Sequence, residues 1–91
     1  MEVILMSRPF ILVGDQLDHG GSVVTGSAET DVDGKPVARI GDKVVCRVHG
    51  QTEIASGDAT VMIDGKPVAR HGDKAACGGT LISSQGTTGI G

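Results

Sequence analysis

Aromatic side chains are almost missing from this chain: Phe10 is the one aromatic among 91 residues, and 38% of the sequence is hydrophobic. Burial of large apolar groups therefore offsets little of the ordering cost, which fifteen glycines raise further. No basic segment precedes the short apolar run at residues 3–6, so no signal peptide is expected, and nothing approaches transmembrane length. The chain is therefore expected in the cytoplasm, where two cysteines are thiols or thiolate ligands rather than a disulfide. A net charge of −3 leaves no basic footprint for nucleic acid. No window carries a helical apolar period, and no HExxH or CxxC occurs. These absences weigh against a helical fold, a zinc hydrolase and a thiol oxidoreductase. A single small domain with so poor a core needs a staple.

What is there is repetition. Val32-Asp33-Gly34-Lys35-Pro36-Val37-Ala38-Arg39-Ile40-Gly41-Asp42-Lys43 returns as Ile63-Asp64-Gly65-Lys66-Pro67-Val68-Ala69-Arg70-His71-Gly72-Asp73-Lys74. A weaker copy, Pro9-Phe10-Ile11-Leu12-Val13-Gly14-Asp15, opens the chain. Each proline is followed five residues later by Gly-Asp, and four residues past each aspartate stands His19, Cys46 or Cys77. Three units follow, at about 9–26, 36–57 and 67–86, within one domain of residues 1–91. The third unit lacks a strand that the amino-terminal segment can supply, and the tail at 85–91 is a closing strand or a loose end. Short β-branched runs bounded by turn residues predict strands, and the two Asp-Gly pairs predict tight hairpins with positive φ at both central positions. The expectation is an all-β, pseudo-threefold, cone-shaped domain of short strands closed around a metal, without enzymatic activity.

Five residues can bind that metal: His19, Cys46, His49, His71 and Cys77. Singly, such residues are commonly a solvated histidine or a small buried hydrophobe. His19, His49 and Cys77, however, each precede a glycine at corresponding places in the three units, and His71 replaces Ile40 of the preceding copy. That set of nitrogen and sulfur donors, His19, His49, His71 and Cys77, suits one tetrahedral, structural zinc ion with no open position. Cys46 shares the repeat position of Cys77, but the His-Gly pair of its unit is displaced to His49. Structural zinc in small peptides contributes about 10–16 kcal/mol.

Pro36-Val37-Ala38-Arg39 and Pro67-Val68-Ala69-Arg70, with Gly14-Asp15, His19-Gly20-Gly21 and Cys77-Gly78-Gly79, resemble the PAAR-repeat family over roughly residues 7–86. The resemblance implies a cone with zinc near its apex, bound by three histidines and one cysteine; by position these are His19, His49, His71 and Cys77, with Cys46 outside the set. It also implies a role: capping and sharpening the trimeric valine–glycine-repeat (VgrG) spike of a type VI secretion system, one chain per trimer, and helping to attach effector proteins. By itself the chain would be a monomer, cytoplasmic until loaded and then carried out with the spike. A generic zinc-stabilised binding module or a phage-like tail tip is the alternative.

Overall fold

A computed structural model describes residues 8–18, 20–32, 34–84 and 89–90. They are all-β, with no helix among them. The strands are β1 (Arg8–Pro9), β2 (Gln16–Leu17), β3 (Gly21–Val23), β4 (Asp31–Val32), β5 (Lys35–Pro36), β6 (Lys43–Cys46), β7 (Gly50–Glu53), β8 (Asp58–Ile63), β9 (Lys66–Val68), β10 (Leu81–Ile82) and β11 (Gly89–Ile90). None exceeds six residues. The body measures 40 × 25 × 23 Å, and its two nearly equal short axes fit a threefold about the long one.

The pseudo-threefold is written in the backbone. The amide of Ala38 donates to the carbonyl of Ile11 at 2.7 Å, that of Ala69 to Ala38 at 3.0 Å, and that of Ile11 to Ala69 at 3.0 Å. These three residues hold the same place in their motifs, so the bonds run in a closed ring from unit to unit. A second ring repeats the pattern two residues on: Val13 donates to the Pro36 carbonyl at 2.9 Å, Ile40 to Pro67 at 2.9 Å and His71 to Pro9 at 2.8 Å. No unit satisfies its own motif. Each completes the next, and the third completes the first.

The Gly-Asp pairs make the turn that follows. Buried Asp15, Asp42 and Asp73 accept the amides of Leu12, Arg39 and Arg70 at 2.8, 2.8 and 2.7 Å, while Gly14, Gly41 and Gly72 adopt φ near +90°. Arg39 and Arg70 also lay their guanidinium groups on Asp42 and Asp73. Burial alone would push the Asp42 carboxyl up, but bonds from Arg39 and Thr25 outweigh it and hold the group below its ordinary value. Among the described residues, every buried side-chain nitrogen or oxygen has a partner.

From each aspartate the chain runs on as a strand whose alternate residues face inward. Leu17, Val44 and Ala75 stand two places past the three aspartates, and Val23, Ile54 and Leu81 face them from the returning strands. With Ile11, Ala38 and Ala69, these nine residues are the buried members of the main core. The core is therefore three layers of three equivalent side chains, mostly small ones.

The strands that bury these layers form a five-stranded antiparallel sheet in the order β10-β2-β3-β6-β7. It closes on itself through the third hairpin: Ile54 bridges Ala75, Ala76 donates to the Glu53 carbonyl at 2.7 Å, and Lys74 bridges Thr80. Closure removes the open edges that a flat sheet of this size would present. Three two-stranded ribbons precede the motifs, β4–β5, β8–β9 and β1–β11. Their prolines are equivalent: Pro36 lies opposite Asp31, Pro67 opposite Met62 and Pro9 opposite Gly89. The amino-terminal segment thus supplies the strand the third unit lacks, and residues 89–90 of the tail close the ribbon. Asp64 and Gly65 have φ of 54° and 79°, as the tight hairpin requires; Asp33, its counterpart, lies outside the described residues.

Gly21 and Gly34 both have positive φ, 117° and 84°, but differ in the space around them. A Cβ on Gly21 would stand 2.0 Å from the Val45 carbonyl oxygen and 2.9 Å from the Cys46 Cα, whereas nothing lies within 4 Å at Gly34. Gly34→Ala should cost about 1 kcal/mol in chemical denaturation, from backbone strain alone. Gly21→Ala should cost more than about 3 kcal/mol, since backbone must move. Equal losses would contradict the close packing of β3 on β6.

Candidate metal centre

The inward alternation that builds the core continues one step further, and there it changes chemistry. Past Asp42 and Val44, the next inward residue of β6 is Cys46; past Asp73 and Ala75, it is Cys77. Cys46 is flanked across the sheet by Gly21 on β3 and Gly50 on β7. With no side chain on either neighbour, the sulfur has room at the end of the core. The turn after β6 carries His49, brought back over Cys46 by the tight connection to β7. Cys77 sits in the turn of the third hairpin, between strand residues 74–75 and 80–82.

The donor atoms of Cys46, His49 and Cys77 all lie within 4.8 Å of one another. The Cys46 sulfur is 3.5 Å from Nδ1 of His49. Cys46 is buried, Cys77 half-buried and His49 exposed, and neither cysteine is in a disulfide. Burial pushes the Cys46 thiol up. Hydrogen bonds from the His49 backbone and ring, the Val48 backbone and Cys77 outweigh it, lowering the group from 9.0 to about 6. A lone buried thiol would not be held this way; the surroundings stabilise a thiolate.

Two sulfurs and an imidazole nitrogen are a soft donor set. In a tetrahedral zinc site, sulfurs 2.3 Å from the ion would be about 3.8 Å apart, so donors grouped this closely fit a single ion. These three residues are close enough to hold a metal.

His49 and Cys77 of the expected set are brought together here, and Cys46 joins them where the sequence reading had left it out. His19 lies outside the described residues. His71 is not among the grouped donors: it is exposed, occupies the motif place of Val13 and Ile40, and its Nδ1 accepts the Ser83 amide at 3.0 Å. The signal for Cys46 was the spacing from the aspartates. Asp, then an apolar residue two on, then a ligand type four on, is the period of a strand facing inward. Aligning the units on their His-Gly pairs hid it, because the middle unit has three additional residues in its turn.

Residues 13–83 match the family model described as the PAAR motif. No individual curated protein matches the chain.

The lowered thiol gives a direct measurement. In metal-free protein, thiolate absorbance near 240 nm should rise with a midpoint of about 6, and His49→Ala should move it upward. Because the folded value lies below the unfolded one, the contribution to stability is fully present above pH 9.0 and is lost as pH falls through about 6. A titration with both thiols at the ordinary value would contradict the arrangement.

Proposed function

The chain belongs to the PAAR-motif family, and on that premise we propose that it is the structural tip of a type VI secretion spike, a single domain of three units seated on the trimeric VgrG end. The observation that carries this reading is the pair of cyclic backbone rings. They give one chain the symmetry of a trimer, so that three similar faces can meet three identical ones. In this role the chain is a cap and an attachment point for effector proteins rather than a catalyst. It is made in the cytoplasm and leaves the cell with the spike.

The staple in this proposal is one zinc ion. Cys46, His49 and Cys77 hold it, and His19 completes the set, because it occupies in the first unit the place of Cys46 and Cys77. Four protein donors fill a tetrahedral site, so the ion's contribution is to folding rather than to reaction. A core in which five of the nine buried side chains are alanine or valine gains most from it.

Two measurements test the proposal. Protein purified without added metal should hold one zinc per chain. Cys46→Ser, Cys77→Ser and His19→Ala should each leave under about half an equivalent, while His71→Ala should leave the content unchanged. Loss of zinc on His71→Ala with retention on Cys46→Ser would restore the set of three histidines and Cys77. Analytical ultracentrifugation with a spike protein encoded beside the chain should give one chain per spike trimer, with weak salt dependence. A homotrimer of this chain, or a three-to-three complex, would sink the capping role and favour a generic zinc-stabilised module or a phage-like tail tip.

A further inference from the structure

Cys46 and Cys77 come from different units, on hairpins joined through the Ile54–Ala75 bridge, yet their sulfurs are no more than 4.8 Å apart. Both are free. They differ in access: Cys46 is 1% exposed, while Cys77 is half-buried. Beyond Cys77 the chain continues as Gly78-Gly79, with Gly78 at φ 94° and nothing within 4 Å of where its Cβ would stand. Gly78 thus leaves open space beside Cys77 at the hairpin tip, and the sulfurs need to close to about 2 Å for a disulfide.

We propose that Cys46 and Cys77 form a redox-reversible dithiol that cross-links the second and third hairpins when a low-molecular-weight disulfide oxidant is present. The more accessible Cys77 thiolate attacks one sulfur of oxidised glutathione. A bond forms between the two sulfurs, the oxidant's own disulfide breaks, and one glutathione thiolate leaves. The Cys46 thiolate then attacks the Cys77 sulfur, closing the Cys46–Cys77 bond and expelling the second glutathione thiolate. The two protein thiols give up two electrons and two protons, and one oxidant disulfide becomes two glutathione thiols. The same two sulfurs serve the proposed zinc, and on that reading metal and disulfide are alternative staples for one end of the core. The metal suits a reducing compartment and the disulfide an oxidising one.

The test is equilibration of the wild-type protein, as purified, in glutathione redox buffers, with acid quenching and mass spectrometry. The folded chain should show the intramolecular disulfide with little mixed disulfide. Its effective thiol concentration should be at least about tenfold above that of the same chain in guanidinium chloride, where only the linker holds the cysteines together. Cys46→Ser should instead accumulate glutathione on Cys77. Equal effective concentrations in the folded and unfolded chain, or glutathione on both cysteines without closure, would overturn the dithiol. Added zinc provides a separate readout. It should shift the equilibrium toward the dithiol; closure that is indifferent to zinc would leave the dithiol standing and refute the metal reading.

Discussion

Everything in this molecule hangs on a chain that cannot satisfy its own motif. The amides of Ile11, Ala38 and Ala69 each find their acceptor in another unit, and so do those of Val13, Ile40 and His71. Buried backbone groups left without partners are costly. One unit alone would therefore leave two donors and two acceptors dangling, with little apolar surface to compensate. Three units close the circuit. The cooperativity that larger proteins obtain from a thick core comes here from a cycle of hydrogen bonds, and the small side chains at Ala38, Ala69 and Ala75 follow from it.

The Gly-Asp turns convert that ring into layers. Each aspartate caps its own motif by accepting an amide three residues back, and the strand that leaves it points every second side chain inward. Leu17, Val44 and Ala75 form one layer in this way, and Cys46 and Cys77 belong to the next. The candidate metal centre is thus no addition to the fold. It is the last layer of the core, with sulfur in place of methyl groups, at the point where the strands end and water would otherwise enter. A thiolate held down by backbone amides from Val48 and His49 is what such a boundary can provide.

Much of this was legible in the residues. The repeated motif, the tight turn at Asp64-Gly65 and the pairing of the amino-terminal segment with the tail all follow from matching the copies. These features are local or depend on counting along the chain. The ligand set was harder, because two alignments of the units compete. Matching the His-Gly pairs selects His49 and sets Cys46 aside; matching distance from the aspartate selects Cys46. The fold satisfies both, since the longer middle turn returns His49 over the sulfur that the strand has already delivered. His71 shows the opposite case. Its motif place is occupied elsewhere by Val13 and Ile40, packed against the core, and it does not join the donors grouped among the described residues.

The antiparallel pairing of β1 with β11 sets how the molecule carries load. Arg8 lies opposite Ile90, so the outward ends of the two strands are at the same end of their ribbon. A pull that separates the chain ends acts across this ribbon one residue pair at a time, as in opening a zip, and little force suffices to part each pair. The molecule is therefore compliant to a pull across this ribbon, whatever the stiffness of the rings behind it.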